Sequence, residues 1–197
     1  GSGQRQFYEA NYRPNPNAPL RSHVWSFLRK RASITLSNGT GSYDLPDDFG
    51  GFLDTRLSFT TTKPWSLELV SMDRVLEKFQ DFGGSMPSGI TQPLIAAVES
   101  KSSTLGSTGQ RWSIVMWPTP ASTLTVTGQY RLNPNLLASD SHYPLGGEAH
   151  AQTLLEACLA AAEEFKNDQS SLHRERFAEL MAASIALDTR LHAQEAA

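Results

Sequence analysis

The sequence of 197 residues contains a single cysteine, Cys158, which excludes an intrachain disulfide and any cysteine-based zinc cluster. Charge is also scarce: Asp, Glu, Lys and Arg make up 19 % of the chain, so much of its surface is expected to be uncharged polar loop. No run approaches the roughly 18 apolar residues of a membrane span, and no charged-then-apolar leader opens the chain. A soluble protein with no membrane partner, made in a cytoplasm, is the expectation. The first residues, "GSGQRQFYEANY", lack a methionine, which leaves two explanations: a tag remnant or an upstream segment.

Catalytic motifs are missing too. No GxGxxG, GxxxxGK[ST] or GxSxG occurs. The five histidines, His23, His142, His150, His173 and His192, show no metal-ligand spacing. The stretch most like a site is "GTGSYDLPDDFGGFLD", with Asp44, Asp47, Asp48 and Asp54. Adjacent Asp47 and Asp48 cannot pair across a substrate, and a calcium loop needs alternating acids closed by a Glu. The better reading is a structural corner: Tyr43 and Leu45 on an edge strand, Pro46 stopping it, a "PDD" turn, and Phe49 plugging a core. Trp112 and Trp117, five apart on a strand, face opposite sides and make a poor carbohydrate platform. Cys158 lies among leucines on a helical stripe, where a small buried hydrophobe is expected. No catalytic, cofactor-binding or metal residue is assigned.

What is present is architectural. With 39 % hydrophobic and 9 % aromatic residues the chain can bury one good core, with room for a small appended lobe. Residues 1–36 hold six Lys or Arg against one Glu, whereas from Gly147 onward nine acids face four bases. A basic arm and an acidic end point to contacts with different neighbours rather than to one nucleic-acid patch. The period changes twice along the chain. A helix end at Gln4 to Ala10 gives way to a segment broken by Pro14, Pro16 and Pro19, expected to be an extended arm. Short strands follow at "SITL", "TRLSF", "WSLELV", "RWSIVMW" and "TLTVTGQYR", with an Asn-Gly hairpin signal after the first. One helix interrupts them near 71–82, with Ser71 as N-cap, Met72, Val75, Leu76 and Phe79 on one face, and Gly83-Gly84 at its end. The last region is helical. Its apolar stripes are Ala151, Leu155, Cys158, Ala162 and Phe165, then Phe177, Leu180, Ser184, Leu187 and Leu191, joined by "NDQSS" as an antiparallel hairpin.

The fold class is therefore α+β. It is expected as a helical bundle, formed by the end of an N-terminal helix and a C-terminal antiparallel helix hairpin, with an inserted antiparallel, barrel-like sheet and one short helix. The expected boundaries are 1–23 for helix end and arm, 24–147 for the β-rich region, and 148–197 for the hairpin. Trp25 and Phe27 are expected to anchor the arm to the β region.

The runs "QRQFY", "HVWSFLRKRASITLSNGTGSYDLPDDFGGFLD", "GQRWSIVMWPTP", "YRLNPNLL" and "YPLGGEAHAQTLLEACLAAAEEFKND", in that order, resemble the head-to-tail adaptor, or connector, proteins of tailed bacteriophages. The resemblance covers nearly the whole chain. It implies that "GSGQRQFY" ends a longer N-terminal helix, and that no catalytic residue or cofactor is needed. It implies a virion protein made in the host bacterial cytoplasm and placed at the neck. There it forms a homo-oligomeric ring, generally a dodecamer, bound to the portal protein and to tail or nozzle proteins. Genomic DNA passes through its channel without sequence-specific binding. Set beside that implication, the residues single out Tyr12, Arg13, Pro14, Pro16 and Arg21 of the arm, and Glu163, Glu164 and Glu175 of the helices, as candidate interface. A distal-tail or receptor- and glycan-binding module is the alternative.

Overall fold

The computed structural model describes residues 2–12, 21–60, 66–83, 90, 92–101, 110–134, 137, 142–167 and 172–195. The chain divides into two units, residues 1–29 with 134–197, and residues 30–133. Their secondary structure is mixed α+β, with four α-helices among the described residues.

The second unit is a nearly closed, barrel-like sheet. Its strands are β3 (Arg29–Leu36), β4 (Ser42–Asp44), β5 (Phe49–Phe52), β6 (Arg56–Phe59), β7 (Leu67–Leu69), β8 (Ile95–Lys101), β9 (Arg111–Trp117) and β10 (Leu124–Leu132). They run in the order β3-β10-β6-β7-β8-β9-β4, with β5 also paired to β10. Strand alternation sorts the side chains of β9 into two cores. Trp112, Ile114 and Met116 join Leu36, Leu57, Leu67 and Val126 in one cluster. Val115 and Trp117 face the other way, against Val75 of helix α2 (Met72–Phe82), with Ile95 and Ala97. The expected opposite facing of Trp112 and Trp117 is what the strand delivers.

Three expectations about this unit change. The sheet is not wholly antiparallel, because β7 and β8 pair in parallel. Helix α2 is the crossover between them, and parallel neighbours require such a connection. The Asn38-Gly39 turn forms, with Gly39 at φ 75°, yet β3 and β4 stand at opposite ends of the strand order instead of pairing as a hairpin. Their ends are tied by Tyr43, whose hydroxyl accepts from the Ser37 N–H at 2.9 Å and donates to the Thr40 carbonyl at 2.7 Å. Between them runs a groove of about 400 Å³ lined by residues of both, including Ile34, Tyr43 and Pro46. Finally, Leu76 of α2 is 46 % exposed, leaving Val75 to face the sheet with Met72 and Phe79 half-buried. Ser71 stands at the N-cap without a side-chain cap bond, and Gly83 ends the helix.

The first unit holds α1 (Ser2–Tyr8), the two-residue strands β1 (Asn11–Tyr12) and β2 (Arg21–Ser22), a 3-10 turn at Ser26–Leu28, a second at Glu148–His150, and the helices α3 (Ala151–Asn167) and α4 (Leu172–Glu195). Helix α3 packs against α1 and against α4. Contacts set its direction: Thr153 near its start meets Ser184 far along α4, while Glu164 near its end meets Arg174 at the start of α4. The two therefore run antiparallel. Helix α1 approaches α3 backbone to backbone at Gly3, where an added Cβ would lie 2.5 Å from the Ala157 carbonyl oxygen and 2.6 Å from the Cys158 Cα.

The α3 stripe is a correction. Ala151, Leu155, Cys158, Ala162 and Phe165 are all exposed, and the buried residues are Thr153, Leu154, Glu156, Ala157 and Ala160. Ala157 faces Gly3 of α1 in close backbone contact and Thr153 bonds Ser184 of α4, so this side packs and the stripe with Leu155 and Phe165 is left outside. Cys158 is thus not the small buried hydrophobe expected. On α4 the core is Met181, Ser184, Ile185 and Asp188, with Leu191 exposed. Trp25 is fully buried within the helical unit, where it stacks on Phe7 and Phe27.

Candidate interaction surfaces

The acidic corner is structural in every member. Asp44 pairs with Lys101 at 2.7 Å, and Asp47 with Arg111 at 3.2 Å. Asp48 accepts from Lys30 at 2.7 Å and from the Tyr130 hydroxyl at 2.8 Å. Asp54 accepts from the Gln129 N–H at 3.3 Å. The turn closes by a bond from the Phe49 N–H to the Pro46 carbonyl at 3.0 Å, and Phe49 is buried. Burial pushes the Asp48 carboxyl up, but the bonds from Lys30 and Tyr130 outweigh it and hold it below the usual carboxylate range. The same burial and the facing Asp48 push the Tyr130 hydroxyl up to about 12. Each acid is occupied by a donor of its own chain, which is the signature of a fastened loop rather than a waiting site.

Trp112 is half-buried in the barrel core, and Trp117 is buried with its indole N–H on the Gly83 carbonyl at 2.9 Å. Neither offers the open ring a glycan platform needs. Among the described residues no group of three or more His, Cys, Asp or Glu could hold a metal ion, and no helix is long and apolar enough to cross a membrane.

A second polar centre lies in the helical unit. Asp188, 2 % exposed, accepts from His23 Nε2–H at 2.8 Å, from the Ser26 N–H at 3.0 Å and from the Ser26 hydroxyl. These bonds fasten the residues after β2 to α4. Around them is an aromatic stack: Trp25 lies 4.9 Å from Phe7 and 5.3 Å from Phe27, with His150 edge-on at 5.1 Å. The Trp25 indole N–H donates to the Phe7 carbonyl at 3.0 Å. Burial pushes the Asp188 carboxyl up, but Ser26 and His23 outweigh it and keep it below its ordinary value. Burial pushes the His150 imidazole down, with Asp188 opposing and His23 adding to the effect. His23, Ser26, His150 and Asp188 were not singled out from the sequence. One signal was there: Asp188 follows Met181, Ser184 and Ile185 at helical spacing, and an acid on a core row needs a buried partner.

Of the candidate interface residues, Tyr12 and Arg21 are paired across β1 and β2, and Asn11 pairs with Ser22. Arg13, Pro14 and Pro16 lie outside the described residues. Glu164 pairs with Arg174 at 2.9 Å, and Glu163 reaches His173 at 3.5 Å with its other oxygen buried and unpartnered. His173 also meets Glu156 at 2.6 Å, and the proton it donates holds the Glu156 carboxyl below its usual range. Both Glu163 and Glu164 therefore face α4 of their own chain, while Glu175 is exposed. Of the described candidates, Tyr12 and Arg21 thus lie on the β1–β2 pair, and Glu163, Glu164 and Glu175 on α3 and α4.

No curated protein matches the sequence. The family-level comparison matches residues 2–196 to the SU10 adaptor protein. That match spans the helical unit and the barrel-like sheet alike, and the chain accordingly belongs to the SU10 adaptor protein family, a family of phage adaptors.

Proposed function

We propose that the protein is a structural component of the phage neck, a head-to-tail adaptor that closes as a ring of twelve copies between the portal and the tail and extends the DNA channel. The family match over residues 2–196 carries this reading. Charge supports it. The acidic end of the chain, nine acids against four bases from Gly147 onward, would repel DNA at a channel wall and let it slide. The basic arm would serve a different contact, reaching a neighbouring subunit's helices or the portal. Because Glu163 and Glu164 are engaged at home, Glu175 in the first turn of α4 is the acid best placed to receive a neighbour's Arg13 or Arg21. In this reading the helical unit forms the ring wall, and the barrel-like sheet offers a surface to protein partners.

The test is a particle assembled without this protein. Filled heads that accumulate with portals in place and no tails attached support an adaptor between the two. Normal tailed, infectious particles in its absence overturn the reading.

A further inference from the structure

One row of α3 is unlike the rest of the surface. Gln152, Leu155, Leu159, Ala162 and Lys166 of α3, with Glu148 in the 3-10 turn that leads into it, follow one another at alternating steps of four and three, and every one is exposed. Leu155 is 50 % and Leu159 36 % exposed, and Phe165 on the adjoining row is 92 % exposed. That spacing is the heptad seam by which one helix packs along another. Solvent-facing helix rows normally carry charge through their length. This one carries it only at its two ends, negative at Glu148 and positive at Lys166, and among the described residues neither end has an ion-pair partner. The amide of Gln152 is turned back onto Glu156 of its own helix at 3.1 Å, leaving the middle of the row apolar.

The row is also palindromic about residue 157. Laid antiparallel on a copy of itself, it sets Glu148 beside Lys166, Gln152 beside Ala162 and Leu155 beside Leu159, and each pairing occurs twice by symmetry. A parallel pairing would instead stack Glu148 on Glu148 and Lys166 on Lys166. We propose that the exposed row of α3 is a two-fold, antiparallel self-association surface, and that its partner is α3 of a second copy of this chain. Charge complementarity and the leucine pair both select that register. A seam of this length, roughly 27 Å, sits at the small end of specific interfaces, so the pairing is reversible and concentration-dependent. Because a two-fold contact closes at two copies, it is not the contact that propagates a ring, and it stands independently of the ring reading. Its use is to keep the apolar face of free chains covered until assembly.

The test uses the whole chain in a Cys158→Ser background. Leu155→Cys and Leu159→Cys variants, carrying tags of different size, are oxidised separately and mixed. The mixture is expected to give several times more intermolecular disulfide than either variant alone, because residue 155 faces residue 159 of the partner. Sedimentation equilibrium supplies the second arm. Glu148→Lys is expected to weaken dimerisation roughly five- to tenfold, two exposed ion pairs being lost, and adding Lys166→Glu is expected to restore it. All four positions are on the surface, and circular dichroism confirms that each variant is folded. A chain that stays monomeric at every concentration, equal crosslinking with and without mixing, or a charge reversal without rescue each overturns the proposal. A ring found in the particle together with a monomeric free chain would sink this pairing and leave the ring standing; a free dimer with no place in the neck would do the reverse.

Discussion

Replacing Trp25 by alanine removes the ring on which the helical unit closes. The side chain is fully buried, stacked on Phe7 and Phe27 and edge-on to His23 and His150. A buried tryptophan removes roughly 200 Å² from water, which at about 25 cal/mol per Å² sets an upper bound near 5 kcal/mol. Alanine keeps a small part of that. The indole bond is lost as well, at about 1 kcal/mol, although the Phe7 carbonyl keeps the Ala10 N–H at 3.3 Å. With the unfolded chain already burying part of the ring, the net loss is expected at about 4 kcal/mol. Trp25→Phe keeps most of the stack and loses the bond, and is expected to cost about half as much. Urea unfolding followed by far-ultraviolet circular dichroism reads both. With a slope of about 2 kcal/mol per molar, the alanine midpoint should fall by about 2 M. A loss under about 1 kcal/mol for alanine, or equal losses for alanine and phenylalanine, would refute the stacked core.

Three further predictions follow from the same contacts. Gly3→Ala should cost at least about 2 kcal/mol, because its Cβ meets the α3 backbone and no side chain can give way; a neutral thermal melt would contradict that approach. Gly128→Ala should cost less, about 1 kcal/mol, since its Cβ meets the end of the Leu57 side chain at 2.2 Å. Leu57→Ala is costly by itself because Leu57 is buried in the core, and in a double-mutant cycle the two losses should combine to less than their sum. Stability should fall in two steps on acidification. His150 has a depressed imidazole, so its contribution is complete above the unfolded value of about 6.5 and drains away as pH falls below it. Asp188 has a depressed carboxyl, so its contribution is present above the unfolded value of about 4 and is lost as pH falls through the folded one. In denaturation series across pH, Asp188→Asn should flatten the lower step and His150→Phe the upper; unchanged profiles would show that neither group is linked to folding.

Strands rich in β-branched and aromatic residues were legible. "RWSIVMW" reads as β9 end to end, and its alternation placed Trp112 and Trp117 on opposite faces. Strand β8, "IAAVESK", was not legible, because its two alanines and lack of aromatics dilute the β signal; it forms because α2 returns the chain beside β7 and β9 supplies a long ladder. Helix α3 teaches a different lesson. Its stripe of Leu155, Cys158 and Phe165 was correctly seen as one face, but periodicity does not say which face meets the protein and which meets a partner. Backbone proximity to Gly3 and the Thr153–Ser184 bond at 2.7 Å favour the side of Thr153 and Ala157. The polar centre at Asp188 was missed for a related reason. Its partners His23 and Ser26 are more than 160 residues away in sequence, and no local spacing encodes that meeting.

Electron cryo-microscopy of the phage neck tests the central claim most directly. The account predicts density for this chain in a closed ring of twelve copies between portal and tail, with the acidic helices toward the DNA channel. Particles whose neck contains no such ring, or in which the chain occupies the distal tail, would contradict it.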